Sequence, residues 1–439
     1  MARKRREPET ASIDSATHDG RGIAAVSGKK VFVAGALPGE TVEFIRRKSR
    51  RNFDEAELLE VIEASADRID AKCEAFGRCG GCSLQHVSDD YQRRIKFQTL
   101  KDNLERIGKL EPDVWLEPLI GPTWGYRRRA RLAVKDVTAK GRVLVGFRER
   151  HAPFITDMHR CEVLAGSIGG LIGELSELVA KLTIRARLPQ IEVAVAENST
   201  ALVFRVLDAP GEADMNELIA FGVRHELRIY LQPGGLDSVQ LIQPPAIDEP
   251  LYYTLPEFDI RVDFEPIDFV QVNGDINRRM VKFAIEQLQP KADDRVLDLY
   301  CGIGNFSLPL ARHAGSVLGI EGDKNLVARA AENARNNGLE NVEFRVADLS
   351  KIDGTESWLK AGCDRLLVDP ARSGAAEIVE RIALLNPERI VYVSCHPGTL
   401  ARDAGVLVHE HGYRLEAAGI IDMFPHTAHV ESIAVFSQN

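Results

Sequence analysis

Seven cysteines stand in this chain, and three of them lie close together in the sequence. Cys73, Cys79 and Cys82 fall within ten residues, and glycines separate them. A glycine-rich loop lets several thiolates reach one metal centre, and Cys161 can join them as a fourth ligand through folding. The spacing suits tetrahedral zinc and a [4Fe–4S] cluster equally well. An odd number of cysteines in a long chain indicates metal binding or catalysis before disulfides.

A fifth cysteine, Cys395, follows the apolar run RIVYVS and precedes a turn-forming HPGT segment. A thiol at the carboxyl end of a central parallel strand faces the crevice where open α/β sheets bind ligands. Such a thiol can serve as a covalent nucleophile once its pKa, ordinarily about 8.5, is lowered by its surroundings. The alternative is an inert buried cysteine, which is the commoner fate of a lone thiol.

The segment DLYCGIGNF (298–306) indicates a strand that enters a glycine turn and then a helix. Its glycines allow the backbone to approach a ligand closely, although the third glycine of the dinucleotide fingerprint is missing. Acidic residues follow the next three strand-like runs, namely Glu321, Asp348 and Asp369. A row of carboxylates at one sheet edge predicts a ligand crevice, with Glu321 placed to bind ribose hydroxyls.

The elements that position these residues differ along the chain. From about residue 265, apolar strands alternate with helices, which predicts a doubly wound, mostly parallel sheet. Short strands separated by glycine and proline turns predict a small N-terminal barrel. Residues 112–262 show an α+β pattern with one helical stretch near 165–182. The predicted organisation is a disordered tail at 1–12, a small β-barrel at 13–68, a cysteine-rich loop at 69–87, a linker helix at 88–111 that packs on the catalytic domain, a central α+β domain at 112–262 and a C-terminal α/β domain at 263–439.

Charge is unevenly distributed. The net charge is −9, yet residues 1–51 hold twelve Lys and Arg against six acids, and residues 124–151 hold nine against two. Basic islands on an acidic body indicate a local surface for a polyanion, or else solvated faces. No apolar run reaches about 18 residues, and the basic N-terminus has no apolar stretch behind it, so we expect a cytoplasmic protein without a membrane span.

Four further motifs carry a specific resemblance. They are FVQVN (269–273), LLVDPARSG (366–374), YVSCHPGTLARD (392–403) and DMFPHTAHVES (422–432). Together with DLYCGIGNF they resemble the RNA uracil-C5 methyltransferase family over the whole C-terminal half. The resemblance implies a class I, Rossmann-like methyltransferase domain with S-adenosylmethionine as cofactor.

The resemblance also implies roles for individual residues. Cys395 is expected to attack C6 of uracil, and Glu431 is expected to be the base that removes the C5 proton. Within the cofactor pocket, Glu321 would hold the ribose and Asp348 would lie near the adenine. The predicted cofactor-binding residues are Gln271, Tyr300, Asn305, Glu321, Asp348 and Asp369. Gln271 and Asp369 would lie near the methionine end of the cofactor and the uracil edge.

The N-terminal segments resemble parts of the 23S ribosomal RNA branch of this family. The stretch KCEAFGRCGGCSLQH resembles its iron–sulfur loop, which favours a [4Fe–4S] cluster on Cys73, Cys79, Cys82 and Cys161. Residues 13–66, with THDGRGIA and ALPGETVEF, resemble the TRAM domain, a small RNA-binding barrel. The residues predicted to contact RNA phosphates are Arg46, Arg47, Lys48, Arg127, Arg129 and Arg131, the last three on one face of a strand.

Our interpretation is a monomeric 23S ribosomal RNA uracil-C5 methyltransferase that acts on neither DNA nor membranes. A transfer RNA uracil-C5 methyltransferase is the nearest alternative, and the barrel and cysteine loop are taken to argue against it. A non-catalytic iron–sulfur RNA-binding protein is a second alternative, which the intact Cys395 and Glu431 disfavour. DNA cytosine methylation expects proline before the nucleophile, where this chain has Ser394. Cys301 and Cys363 have no assigned role.

Overall fold

A computed structural model describes residues 7–17, 19–243 and 249–438. The chain divides into two compact units. The first contains residues 1–99, 148–156 and 424–429, and the second contains residues 100–147, 157–423 and 430–439. Most of the turn predicted at 244–250 lies outside the described residues. Across the described ranges, the structure shows no helix with the length and apolar character needed to span a membrane.

The first unit is built on a six-stranded sheet in the order β1-β5-β6-β4-β3-β2. Its strands are β1 (Glu9–Ser12), β2 (Ser15–Ala16), β3 (Arg21–Val26), β4 (Lys29–Ala34), β5 (Thr41–Ser49) and β6 (Phe53–Glu63). Ser27 and Gly28, both with positive φ, join β3 to β4 in the two-residue turn that suits the twist of a hairpin. Alternate residues of the strands point inward and form an apolar core that includes Val31, Val33 and Phe44.

Strand β1 corrects the prediction of a disordered tail at 1–12 over Glu9–Ser12, whereas residues 1–6 lie outside the described residues. Glu9–Ser12 pairs antiparallel with β5, from Glu9 opposite Phe44 to Ser12 opposite Thr41. Arg46 also forms an ion pair of 2.8 Å with Glu9. A short polar segment can become a strand when an existing sheet edge supplies its hydrogen-bond partners, and composition alone does not reveal that edge.

The cysteine-rich segment and helix α1 (Asp89–Asn103) complete most of the first unit, and a π-helical turn at Leu104–Gly108 follows α1. The segment 424–429 returns to this unit because its backbone is hydrogen-bonded there. The N–H groups of Ser83 and Leu84 both donate to the carbonyl of His426, and the His426 N–H donates to the Gln92 side chain. The predicted boundaries, which kept 424–429 in the catalytic domain and 148–156 in the central one, are therefore wrong at both places.

The second unit contains a six-stranded sheet in the order β13-β12-β11-β10-β8-β9. Its strands are β8 (Arg129–Val137), β9 (Arg142–Gly146), β10 (Gln190–Val195), β11 (Thr200–Arg205), β12 (Leu227–Gln232) and β13 (Gln240–Gln243), with β7 (Val114–Trp115) preceding them. Two helices accompany them, α2 (Ile172–Lys181) and α3 (Glu212–His225). The prediction of one helical stretch is therefore wrong, because α3 buries an apolar face of its own, including Leu218 and Phe221.

The same unit holds an eight-stranded sheet in the order β18-β17-β16-β19-β20-β22-β21-β7. A hairpin of β14 (Leu251–Leu255) and β15 (Ile260–Phe264) precedes it, and the remaining strands are β16 (Arg295–Leu299), β17 (Ser316–Glu321), β18 (Val342–Val346), β19 (Arg365–Val368), β20 (Arg389–Ser394), β21 (Tyr413–Ile421) and β22 (Glu431–Gln438). The helices are α4 (Gly274–Leu288), α5 (Ser307–Ala311), α6 (Lys324–Asn336), α7 (Ser357–Lys360), α8 (Ala376–Val379), α9 (Ile382–Leu385) and α10 (Pro397–His409).

Strands β16 to β20 pair in parallel, and β22 is antiparallel to β20. This confirms the predicted Rossmann-like sheet. The chain order reverses on either side of β16, which lies between β17 and β19. Open α/β sheets bind ligands outside the carboxyl ends of the strands at such a switch point.

Candidate active site

Strand β20 delivers Cys395 to the carboxyl edge of the sheet. Five of its six residues are buried, so the strand is fixed between the helical layers. Helix α10 begins two residues after the thiol, and the His396 side chain caps it by accepting a hydrogen bond of 3.2 Å from the Thr399 N–H. The N-terminus of a helix favours negative charge, so this arrangement helps a thiolate at Cys395.

The pairing of β20 with β22 sets the distance between the thiol and Glu431. Ser394 pairs with Ser432, and the Ser432 hydroxyl donates to the Ser394 carbonyl at 3.2 Å. Cys395 directly follows Ser394 and Glu431 directly precedes Ser432, so both residues lie at this end of the strand pair. The charge of Glu431 acts on the Cys395 thiol, as expected for neighbouring side chains. The predicted nucleophile and the predicted base, 36 positions apart in the sequence, therefore lie side by side.

The electrostatic surroundings of Cys395 oppose ionisation in the free protein. Burial raises the pKa of the thiol to about 11, and the carboxylates of Glu431 and Asp369 act in the same direction. Arg372 acts in the opposite sense, because its positive charge stabilises the thiolate. The thiol is thus protonated at neutral pH, and its reactivity depends on the charges of three named neighbours.

Glu431 and Asp369 form a pair of protected carboxyl groups. Glu431 is 4% exposed. Burial and the charge of Asp369 raise its pKa well above the usual value, while Arg372 opposes that shift. Asp369 is partly exposed as a residue, but its carboxyl is enclosed by protein, and burial raises its pKa to about 7. Carboxyls with raised pKa can accept or hold a proton near neutral pH, as a general base must.

Arg372 escaped the sequence analysis. It lies in LLVDPARSG three residues after Asp369, and an arginine in a loop carries no sequence signal of its own. Its influence becomes visible only when the fold places its charge near both Cys395 and Glu431. The DPAR spacing after a strand could have raised the question, because the residues after the carboxyl end of a parallel strand face the crevice.

The glycine turn after β16 has the backbone of a ligand cradle. Tyr300, Gly302 and Gly304 all have positive φ, at 65°, 53° and 94°. No atom lies within 4 Å of the position that a Cβ on Gly302 would occupy. Glu321 at the end of β17 turns one carboxylate oxygen to the Gly302 N–H at 3.2 Å and the other to the Gly322 N–H at 2.6 Å.

Asp298 adds an unpaired acceptor beneath this turn. The residue is fully buried, and one carboxylate oxygen accepts a hydrogen bond from Ser307. The other oxygen has no hydrogen-bond partner among the described residues. Burial raises the pKa of Asp298 to about 7. A buried, unpaired acceptor next to an open glycine turn fits a ligand that brings its own donors.

Two other predicted cofactor residues, Asn305 and Asp348, differ in their surroundings: Asn305 is hydrogen-bonded to α4, whereas Asp348 is exposed. Asn305 exchanges two hydrogen bonds of 2.9 Å with Asn277 of α4 and accepts a third from the Tyr253 hydroxyl. It therefore anchors the turn to α4. Asp348 lies two residues beyond the end of β18, is exposed and pairs with Lys351 at 2.7 Å, which lowers its pKa to about 2.

Gln271 is partly exposed within FVQVN, the segment that runs into the Asn273 cap of α4. Its neighbour Phe269 is 68% exposed, which is unusual for a phenylalanine in an ordered segment. The Arg128 N–H fixes this segment by donating to the Val272 carbonyl at 2.7 Å. An exposed ring on a fixed segment can stack on a base, and Phe269 is a second residue that the sequence analysis missed.

The basic residues predicted to bind RNA fall into two groups in the first unit. Arg46 is 22% exposed and pairs with both Glu9 and the buried Asp54. Arg47 and Lys48 are more than half exposed, and each pairs with a surface glutamate, Glu57 and Glu55 respectively. Arg46 therefore stabilises the sheet, whereas the other two keep their charges at the surface.

In the second unit, Arg129 and Arg131 lie on the same face of β8, whereas Arg127 precedes the strand. Arg127 donates from Nε to the Arg129 carbonyl at 2.9 Å. Arg129 donates to the Pro266 carbonyl, and burial lowers its pKa. Arg131 is 69% exposed beside Glu192, so of these three it presents the most accessible charge.

The three clustered cysteines all lie in the first unit, and Cys161 lies in the second. The Cys79 thiol accepts a hydrogen bond of 3.4 Å from the Gly81 N–H. Burial raises its pKa, and the charge of Cys73 acts in the same direction. Over the described ranges, no three His, Cys, Asp or Glu side chains are gathered closely enough to hold a metal ion. The donor chemistry fits a thiolate-bound centre, but the side chains are not closed around one.

Cys301 and Cys363 have structural positions. Cys301 is 4% exposed and packs against β17, where a Cβ on Gly319 would come within 2.9 Å of its sulfur. Burial raises its pKa well above the usual value and raises that of Cys363 to about 12. Both thiols are therefore unreactive core residues.

Comparison with known proteins identifies the family of this chain. The family described as tRNA (Uracil-5-)-methyltransferase matches residues 254–439. The 23S rRNA (uracil(1939)-C(5))-methyltransferase of Methylococcus capsulatus is 52% identical over 98% of this chain and 97% of its own length. The enzyme of the same name from Alkalilimnicola ehrlichii is 50% identical over 100% of this chain and 99% of its own.

A solved structure extends the likeness to the fold. The tRNA (uracil-54, C5)-methyltransferase of Pyrococcus abyssi, in complex with S-adenosyl-L-homocysteine, superposes with a TM-score of 0.74 at 24% identity. The superposed region includes 97% of this chain and 99% of the Pyrococcus abyssi chain. At this identity the likeness shows the shared fold alone.

Proposed function

Since this chain belongs to the 23S rRNA (uracil-C5)-methyltransferase family and is an S-adenosylmethionine-dependent methyltransferase, we propose that it methylates C5 of a uridine in 23S ribosomal RNA through a covalent adduct on Cys395. The relatives are named for uracil 1939, and we propose the equivalent uridine as the target. The observation that carries the mechanism is the pairing of β20 with β22, which brings Cys395 and Glu431 to the same end of the strand pair, where their charges interact.

The cofactor supplies an electrophilic methyl group on a cationic sulfur. The open glycine turn and the unpaired oxygen of Asp298 support binding at the carboxyl end of β16. Glu321 would hold the ribose hydroxyls, since it ends β17 beside the turn and strand-end acids in such folds bind them. Asn305 fixes the turn, and the exposed Asp348 would lie toward the adenine.

The chemistry at uracil requires two groups from the protein. The Cys395 thiol releases its proton to solvent, and the resulting thiolate adds to C6, forming a C–S bond. The displaced electron pair makes C5 nucleophilic. After C5 has taken the methyl group, Glu431 accepts the C5 proton, the C5–C6 double bond re-forms and the C–S bond breaks. The thiolate leaves unchanged, so the residues complete a cycle once Glu431 releases its proton.

Several side chains support binding of the target uracil ring in the site. The target uracil must leave any stack to reach Cys395. The exposed ring of Phe269 can stack on it, and Gln271 and Asp369 can address its polar edge. Asp369 would donate a hydrogen bond when protonated, which its pKa of about 7 permits at neutral pH. Arg372 stabilises negative charge at Cys395.

We also propose that the first unit contains a TRAM-type RNA-binding barrel and that the chain holds a [4Fe–4S] cluster. The six-stranded sheet supports the barrel, and the exposed charges of Arg47 and Lys48 support contacts with phosphate. Three soft thiols on a glycine-rich loop, one accepting an N–H bond, support a cluster held by Cys73, Cys79, Cys82 and Cys161. Thiolate ligands commonly gather when the metal centre binds.

Incubation with labelled cofactor tests the function directly. Separate reactions would contain 23S ribosomal RNA and transfer RNA from cells that lack the modification, and mass mapping would locate 5-methyluridine. We expect label at one uridine of the 23S RNA, and none with the Cys395→Ala variant. Label only in transfer RNA would favour the alternative substrate, which the whole-length fold of the Pyrococcus abyssi enzyme brings into consideration.

A further inference from the structure

Asp403 is a buried carboxylate on α10 that the proposed chemistry does not use. It is 1% exposed. One oxygen accepts hydrogen bonds from the Tyr392 hydroxyl at 2.7 Å and the Ala375 N–H at 2.8 Å, and the other accepts from Arg402 Nε at 2.8 Å. A buried carboxylate is costly unless donors surround it, and these three donors come from three separate segments.

The same helix holds the loop 372–375 at two further points. Arg402 donates to the Ser373 carbonyl at 3.0 Å. The Thr399 hydroxyl shares its one hydrogen between the Arg372 carbonyl at 3.3 Å and the His396 carbonyl at 3.0 Å. Together with the Ala375 contact, α10 binds the loop backbone at residues 372, 373 and 375. The backbone around Arg372 is therefore fixed from one side by a single helix.

Gly374 shows how closely the loop approaches this helix. A Cβ at that position would lie 2.6 Å from Asp403 Oδ2 and 2.6 Å from Arg402 Nη2, and the residue has φ of +81°. Both distances are shorter than real contacts allow. The loop can approach the carboxylate only because a glycine stands there.

These contacts join the segments that carry the reactive groups. Tyr392 lies on β20, three residues before Cys395, and α10 starts two residues after Cys395. The loop carries Asp369 and Arg372, whose opposite charges act on the thiol. Asp403 therefore connects the nucleophile's strand to the loop that sets its electrostatic surroundings.

We propose that Asp403 is a positioning residue, which holds the loop 369–375 against β20 so that Arg372 stays beside Cys395 and Glu431. The proposal rests on the proposed function, because it assigns Asp403 to the geometry of that same nucleophile. It predicts that loosening the Asp403 contacts lowers the reactivity of the thiol even when no RNA is present.

The test compares Asp403→Asn and Tyr392→Phe with Asp214→Asn. Asp214 is also buried in the second unit and is bonded by the Thr183 N–H and hydroxyl at 2.7 and 2.6 Å, so it is a matched carboxylate elsewhere in the fold. The rate of iodoacetamide alkylation at Cys395 would be followed from pH 7 to 10 by peptide mass spectrometry. Circular dichroism would confirm that each variant is folded.

We expect alkylation at pH 8 to slow by about three- to tenfold in Asp403→Asn and Tyr392→Phe, because one unit of thiol pKa is a factor of ten in thiolate. Asp214→Asn should match the parent protein. A milder pair uses Thr399, where Thr399→Val removes the bond to the Arg372 carbonyl and Thr399→Ser keeps it. Thr399→Val should slow alkylation, and Thr399→Ser should restore it.

Equal alkylation rates in Asp403→Asn, Tyr392→Phe and Asp214→Asn would overturn the proposal, and so would equal rates in the two Thr399 variants. If Asp403→Asn proves unfolded, the Tyr392 and Thr399 variants decide the matter alone. The outcome is separable from the proposed function, because loss of methylation in Cys395→Ala is measured with RNA and cofactor, whereas alkylation requires neither.

Discussion

Cys395 lies one residue beyond the end of β20 and next to Glu431, the first residue of the antiparallel strand β22, whose charge acts on the thiol. Ser394 and Ser432, the adjacent pair, are joined by a hydrogen bond from hydroxyl to carbonyl. In the proposed mechanism, Cys395 acts at C6 and Glu431 at C5, the two ends of one double bond in the uracil ring. A one-residue shift of β22 would turn Glu431 to the other face of the sheet and remove it from the site.

Glu431→Gln should have opposite effects on two properties of Cys395. Loss of the carboxylate removes a charge that raises the thiol pKa, so alkylation by iodoacetamide in the absence of RNA should become faster. Loss of the base should stop the release of methylated RNA, and an adduct between protein and RNA should accumulate. Denaturing gels and alkylation rates measure the two effects. Slower alkylation together with no adduct would contradict both assignments.

Arg372→Gln should act in the opposite direction on the thiol. Arg372 lowers the pKa of Cys395, so its removal should slow alkylation at pH 8 by about three- to tenfold. Cys363, which is buried with a pKa raised to about 12, provides an internal control that stays unmodified. An unchanged rate at Cys395 would show that the guanidinium does not act on the thiol.

Glu431→Gln should also change how stability depends on pH. Folding raises the pKa of Glu431 well above its usual value of 4.5, so the folded protein holds this proton more tightly than the unfolded chain. As pH rises above 4.5 the buried carboxyl therefore destabilises the fold progressively. Unfolding midpoints should be similar at pH 5 and higher for the variant at pH 8.

The control for this measurement is Glu410→Gln, because Glu410 is exposed at the end of α10. Its substitution should leave the difference between pH 5 and pH 8 unchanged. A variant at Glu431 that is no more stable than the parent at pH 8 would mean that its carboxyl is not enclosed as described.

Arg46 and Arg47 should separate into a structural and an RNA-contacting residue. Burial opposes the charge of Asp54, but bonds from Lys29, Ser49 and Arg46 hold its pKa well below the usual value. Arg46→Ala should therefore destabilise the protein by about 1–3 kcal/mol, the cost of leaving a buried acceptor unsatisfied. Arg47→Ala should leave unfolding nearly unchanged.

RNA binding, in contrast to stability, should depend on Arg47. Arg47→Ala should weaken binding and reduce the slope of affinity against salt by about one, as expected for one phosphate contact. Urea unfolding and filter binding over a range of salt concentrations check both halves. Unaltered salt dependence in Arg47→Ala would remove this residue from the RNA surface.

Iron and sulfide analysis tests the cysteine cluster. Cys79→Ser should lose most of the bound iron and acid-labile sulfide after anaerobic purification, and Cys73→Ser, Cys82→Ser and Cys161→Ser should behave in the same way. Cys363→Ser, at a buried cysteine in the core of the other unit, is the control that retains both. Zinc in place of iron in the parent protein would favour the tetrahedral zinc centre that the spacing also allows.

The catalytic sheet could be predicted well because its strands are apolar runs with an acidic residue just beyond several of them. SVLGIE and RIVYVS coincide with β17 and β20 residue for residue. Parallel strands covered on both faces produce such continuous apolar runs. The helices between them show a different pattern, in which apolar residues recur about every 3.6 positions. The position of Glu321 followed directly from this pattern.

Other features depend on partners that are distant in sequence. Strand β1 forms only because β5 offers an edge, and the segment 424–429 joins the first unit through bonds to Ser83, Leu84 and Gln92. The residues of β1 and of 424–429 show no hydrophobic pattern that would predict these pairings. Helix α3 is different, since its apolar positions were present in the sequence and were read as part of a strand-rich region.

Some residues of the site could be identified from the sequence, whereas the roles of others appear only in the folded structure. Cys395 and Glu431 were identified through resemblance, and the register of β20 with β22 supplies the physical reason. Arg372 and Asp403 lie within the family motifs, but the sequence assigns neither a role, because their roles arise from a loop and a helix that meet only after folding. Asn305 stays a predicted cofactor residue, and the structure adds its two bonds to Asn277, which no sequence pattern indicated.

The most direct test of the central claim uses an RNA fragment with 5-fluorouridine at the target position. Fluorine at C5 cannot leave as a proton does, so the adduct should persist after methyl transfer. Incubation with the cofactor, digestion and tandem mass spectrometry should find one methylated fluorouridine attached to the sulfur of Cys395. An adduct on another residue, or methylated RNA released without any adduct in the parent protein, would contradict the account.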